Sequence, residues 1–118
     1  MHQKVVKISR RNFKETVLAA EVPVVVMFSG SAAPPSVAKT FSDVAGTFKA
    51  EIAAFGWVDT SADPEMITKH EIQVWPTFII FRGGQPVWRF EGILVREGLA
   101  QLLAAELPAA EEIEANEH

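Results

Sequence analysis

Apolar residues along this chain change their period several times, and each change marks an element. Residues 4–8 alternate polar and apolar side chains, which predicts a first, exposed strand. Between residues 10 and 20, Phe13, Val17 and Leu18 fall at helical spacing, with Ser9 placed to cap the start. Residues 22–28 are a continuous β-branched run with Pro23 near its beginning, the pattern of a central strand buried on both faces. Small residues follow, and then Pro34 and Pro35 open a second helical pattern. In it Val37, Phe41, Val44, Ala45 and Phe48 repeat at three and four residues, which carries the predicted helix to about residue 51.

Residues 53–58 read as a third strand. Asp63, Pro64 and Glu65 form a compact helix start: Asp63 as cap, Pro64 at the first helical position, Glu65 at the positive end. That helix ends near His70. Residues 77–81 are a fourth strand, Gly83 and Gly84 make a hairpin, and residues 87–91 pair back. Gly92 breaks the chain before a last amphipathic helix over residues 96–107, with Leu99, Leu102 and Leu103 on one face. The order β-α-β-α-β-α-β-β-α predicts an α/β fold. Crossover helices imply parallel pairing of the early strands and the hairpin adds an antiparallel pair, so the sheet is mixed and covered by helices.

Composition narrows the chemistry more than the fold. With 118 residues, 48% of them hydrophobic, the chain suits one domain with one core, predicted at residues 1–107. It contains no cysteine, which excludes disulfides, thiolate metal sites and thiol nucleophiles. His2, His70 and His118 have no metal-ligand spacing, and no cofactor is predicted. The net charge of -4 is carried entirely by Glu111, Glu112, Glu114 and Glu117, since the acids and bases before Pro108 balance. A neutral body with an acidic tail lacks the basic footprint that nucleic acid requires. Lys4, Lys7, Arg10, Arg11 and Lys14 read as a guarded edge strand and helix start, with a nucleic-acid or anionic-surface role for this run as the other reading. The tail, residues 108–118, reads as a solvated, disordered end, or as helix formed on binding. No apolar leader core follows the basic start, and residues 22–28 are too short to cross a bilayer, so the expected setting is cytoplasmic and not membrane.

The run Val24-Val25-Val26-Met27-Phe28 before a helix, the segment 58–65, and above all Val74-Trp75-Pro76-Thr77 followed by an apolar strand and a Gly-Gly turn resemble thioredoxin. Phe13, Val17, Asp63 with Pro64, and Gly92 also fall at family positions, and the likeness spans about residues 5 to 107. The resemblance implies a thioredoxin fold, a central mixed sheet of about five strands with about four helices, and a cis bond before Pro76. It also places the Trp-Cys-Gly-Pro-Cys redox motif on Ala32-Ala33-Pro34-Pro35-Ser36, where only the second proline is kept. Family chemistry needs a low-pKa thiolate and a second, resolving thiol. Ala33 has no functional group, and Ser36 near a helix start is a capping hydroxyl with no base predicted nearby. The family's buried Asp on the central strand is Met27 here, and its Lys partner on the third strand is Trp57.

The resemblance leaves a substrate groove whose residues carry over as Ala32, Ala33, Pro34, Pro35, Trp75, Pro76, Gly92 and Ile93. In the family the backbone before the cis proline pairs with an extended peptide. Trp75 is either an exposed anchor on that face or packed beneath its own loop. The leading expectation is therefore a redox-inactive binding or assembly-chaperone module for a protein or peptide, monomeric or a weak homodimer. The alternatives are a thioredoxin-type disulfide oxidoreductase whose cysteines have been replaced at 33 and 36, and a structural subunit that packs through its sheet edge or helices.

Overall fold

The computed structural model describes residues 3–93 and 95–107. The acidic tail, His2 and His118 lie outside them. Five strands, β1 (Val6–Ile8), β2 (Val24–Ser29), β3 (Ala54–Asp59), β4 (Thr77–Arg82) and β5 (Gln85–Glu91), form one sheet in the order β1-β3-β2-β4-β5. β1 and β2 pair parallel to β3, whereas β4 pairs antiparallel to both β2 and β5. The helical elements are a π-helical segment (Lys14–Leu18), α1 (Pro35–Ala45), α2 (Glu65–Lys69) and α3 (Arg96–Glu106).

The continuous apolar run lies at the sheet centre, where all six residues of β2 are buried. Its alternation divides the core in two. Val25 and Met27 join Phe78, Ile80 and the α1 residues Val37, Phe41 and Val44 on one face, where Leu99, Leu103 and Leu107 close the layer. Val24, Val26 and Phe28 join Phe13, Val17, Met66 and Ile72 on the other. Each fully buried Phe or Leu in these layers contributes about 1.5–3 kcal/mol. At the β4–β5 hairpin, Gly83 and Gly84 sit at φ 59° and 82°, a turn that needs positive φ at both centres.

Four local expectations are corrected. The first helix does not run from 10 to 20. Ser9 Oγ accepts from the Arg11 N–H, and Asn12 Oδ1 accepts from the Ser9 N–H, so these side chains close a turn rather than cap a helix. The segment that follows is short, and its Ala19 N–H reaches five residues back to the Lys14 carbonyl. α1 stops at Ala45, although Phe48 continues its period: beyond Gly46 the chain turns, and Phe48 packs on Phe55 at 5.5 Å from outside the helix. Asp63 does not cap α2. Its carboxylate accepts the Arg10 N–H at 2.7 Å and faces the Arg10 guanidinium, tying β1's exit to the α2 entrance, and Pro64 takes the cap position. On α3, Leu102 is half-buried, and the buried stripe is Leu99, Leu103 and Leu107.

Candidate functional site

The parallel strands β2 and β3 end side by side, and the chain leaves each through a polar loop. These loops are stitched together. The Thr60 N–H donates to the Ser29 carbonyl at 2.9 Å, the Ser31 N–H donates to Ser61 Oγ at 2.9 Å, and the Ser61 N–H donates to Asp59 Oδ1 at 3.0 Å. A third loop arrives from α2, with the Trp75–Pro76 peptide bond cis. The Trp75 indole N–H donates to Thr60 Oγ1 at 2.9 Å, which fastens this loop to the other two. Past β5, Gly92 takes φ 113° and donates its N–H to the Pro76 carbonyl at 2.9 Å, holding Ile93 beside the proline.

The loops after β2, β3 and β5, the cis-proline loop, the start of α1 and α2 border an open groove of about 440 Å³. Ala32, Ala33, Pro34, Trp75, Pro76 and Ile93 line it, so six of the eight predicted residues meet in one place. Pro35 faces a second cavity behind the groove, and Gly92 acts through its backbone. Trp75 is 42% exposed and Ile93 67%, yet the indole N–H is anchored, so the ring is tied down and still offers a face to solvent. Sequence reasoning missed Gly30, Val37, Thr60, Ser61 and Ile67, which complete the lining. Only the polar cluster Thr60-Ser61 after a strand hinted at a loop, and nothing in the sequence paired it with Trp75.

Ala33 lies in the groove wall, whereas exposed Ser36 opens with Thr40 and Pro76 onto a separate cleft of about 50 Å³. Beneath them Met27 and Trp57 are register partners on β2 and β3. Met27 is buried, and the Trp57 ring has the Lys7 ammonium 5.5 Å from its centroid. His70 is on the opposite side of the sheet among Phe13, Phe28 and Phe81, far from serving Ser36 as a base. In the basic start of the chain, Arg10 pairs with Asp63 and Glu65. Among the described residues, no helix is long and apolar enough to cross a membrane and no cluster of residues could hold a metal ion.

A sequence profile of the thioredoxin family matches residues 4–105. This chain belongs to the thioredoxin family. It is 30% identical to thioredoxin 1 of Nostoc sp. over 103 residues, covering 86% of this chain and 95% of that protein. It is 32% identical over 94 residues to a thioredoxin-like protein of Synechocystis sp., covering 78% and 89%. With the chloroplastic thioredoxin Y1 of Arabidopsis thaliana it shares 30% over 92 residues, but spans only 53% of that relative's length. The fold superposes on the thioredoxin of Malassezia sympodialis with a TM-score of 0.76 at 22% identity, over 92% of this chain and 96% of that one. It superposes on chloroplastic thioredoxin z with a TM-score of 0.74 at 23% identity, over 89% and 96%. The thioredoxin fold and its mixed five-stranded sheet are thus established. The chain contains no cysteine.

Proposed function

We propose that this protein is a redox-inactive thioredoxin-like module that binds a polypeptide, in an accessory or assembly-chaperone role, through the face formed by Ala32, Ala33, Pro34, Pro35, Trp75, Pro76, Gly92 and Ile93. The observation that carries the reading is Trp75: a large ring, pinned by its own N–H, standing at the edge of an apolar groove that is open to solvent. Anchored aromatic rings lose little freedom on binding, which is why such residues dominate interaction energies. Ala33 and Ser36 cannot exchange disulfides, and Met27 and Trp57 replace both members of an ion pair that would be costly to keep buried without a use. The proposed setting is the cytoplasm, and the acting species a monomer or weak homodimer.

The test is binding of a permanently unfolded chain, reduced and carboxymethylated α-lactalbumin, by wild type and Trp75→Ala. A loss of roughly tenfold or more in affinity is expected, with the thermal unfolding midpoint showing that the variant is folded. Unchanged affinity in a folded variant removes this face from the function.

A further inference from the structure

Behind the groove, between the start of α1 and the sheet, lies a second cavity of about 280 Å³ that shares Gly30, Ala33, Pro34 and Val37 with it. We infer that this cavity receives a phenol ring, the side chain of a tyrosine carried by the polypeptide in the groove. The inference rests on the reading above for its source of tyrosine, but the cavity's chemistry stands on its own residues.

The floor is set by strand register. Met27 lies opposite Trp57, and one step along the same face Ser29 lies opposite Asp59; all four line the cavity. Met27, Trp57, Ala33, Val37 and Ala38 make apolar walls, and a dry apolar cavity of about 150 Å³ already holds a benzene ring. The polar end is unusual. Ser29 is 2% exposed, and its Oγ has no hydrogen-bond partner among the described residues. A buried hydroxyl left unpaired is destabilising, so its satisfaction by a ligand is a gain that a plain apolar cleft cannot offer. Beside it, Asp59 spends Oδ1 on the Ser61 N–H.

A phenolic hydroxyl matches this pair. Once the Ser29 side chain turns toward the cavity, the phenol oxygen accepts from Ser29 Oγ–H while its own proton is donated to the Asp59 carboxylate. A phenylalanine ring fills the walls but leaves Ser29 unpaired. A lysine or arginine head pairs with Asp59 but only donates, which leaves the serine proton unused. An indole N–H donates without accepting, which leaves the serine proton unused. Among phenylalanine, tryptophan and tyrosine, whose rings fill the apolar walls, tyrosine is the one that uses both groups.

The probes are p-cresol, toluene and the blocked pentapeptides Ala-Ala-Tyr-Ala-Ala and Ala-Ala-Phe-Ala-Ala, titrated into wild type while the Met27 ε-methyl resonance is followed. p-Cresol is expected to shift that methyl, and Ala38→Leu, which fills the cavity from the exposed face of α1, is expected to abolish the shift in a folded protein. In Ser29→Ala the preference for p-cresol over toluene falls by about 3–10-fold. The Tyr peptide binds more tightly than p-cresol and than the Phe peptide. No shift at Met27, or a cresol-to-toluene preference untouched by Ser29→Ala, overturns the phenol site. A Tyr peptide no tighter than p-cresol overturns the polypeptide as its source. If p-cresol binds as expected while Trp75→Ala leaves the unfolded chain bound, it is the groove reading that fails and the phenol site that stands.

Discussion

The Trp75 indole and the Thr60 hydroxyl are joined by a 2.9 Å hydrogen bond across fifteen positions of sequence. Thr60 is buried, so the bond has one end in the protein and the other on a ring that solvent reaches. Thr60→Val keeps the shape and removes the acceptor. The indole N–H can turn to water, so the stability loss stays near about 1 kcal/mol, read from the urea midpoint. The larger effect falls on the ring, which loses its tether. Its fluorescence anisotropy decays faster, and binding of the unfolded polypeptide weakens several-fold. An unchanged anisotropy decay would show that packing, and not this bond, holds Trp75.

That bond also marks how far the sequence could be read. Val24 to Phe28 of β2 were legible as an unbroken apolar run, because a central strand is buried on both faces, and the α1 stripe Val37, Phe41 and Val44 because burial of one helix face imposes a period of 3.6. Phe48 kept the period after the helix had ended, since periodicity reports which residues are buried and not which backbone carries them. Ser9 and Asp63 have the chemistry of caps, but Ser9 Oγ goes to the Arg11 N–H in a local turn, and the Asp63 carboxylate goes to the Arg10 N–H that the tertiary structure brings to it. At the site, Ala32, Ala33, Pro34, Trp75, Pro76 and Ile93 could be placed from the likeness to thioredoxins. Thr60 and Ser61 could not, because their partners Ser29, Ser31 and Trp75 lie on other segments and no local pattern encodes that approach.

Gly56, in the middle of β3, is set by space rather than by backbone conformation. A Cβ there would lie 2.0 Å from Ile8 Cδ1 and 2.8 Å from Ile8 Cγ1. Ile8 is itself buried, with the second core layer around it, and has nowhere to retreat. Gly56→Ala is therefore expected to lift β1 from β3 at a cost of about 1–3 kcal/mol. Hydrogen exchange should localise the effect to the β1–β3 ladder, leaving the β2–β4 amides protected. Exchange that rises uniformly through the sheet would contradict a local clash.

Restoring thiols tests whether the scaffold still supports redox work. Ala33→Cys with Ser36→Cys puts a nucleophile in the groove wall and a resolving residue at the start of α1. Met27 and Trp57 beneath them offer no group to take or give a proton. The double variant is expected to form a disulfide but to reduce insulin at a rate near background. A thioredoxin-like rate would show that the apolar pair is no obstacle, and it would favour the reading of a disulfide oxidoreductase with replaced cysteines.

His70 makes stability depend on pH. Its ring lies among Phe13, Phe28 and Phe81, with centroid distances of 5.0, 5.1 and 5.8 Å, and Nε2 has no partner among the described residues. Burial first, then the charges of Lys69 and Arg89, lower its pKa from 6.5 to about 4. The folded protein therefore holds this imidazole neutral while the unfolded chain protonates it, so stability is full above pH 6.5 and falls as pH drops from 6.5 toward 4. At about 1.4 kcal/mol per pH unit the loss is limited to roughly 3 kcal/mol, reached below the folded-state pKa. His70→Phe, which keeps a ring in the aromatic cluster, should flatten the urea midpoint across that window. Arg89→Ala should act in two ways. It removes the guanidinium donors to the His70 and Glu71 carbonyls, lowering stability at pH 7, and it removes one of the charges that depress the imidazole, raising the pKa part of the way back. NMR titration of the His70 ring in both proteins checks this directly; a wild-type pKa near 6.5 would show that the ring titrates freely in water.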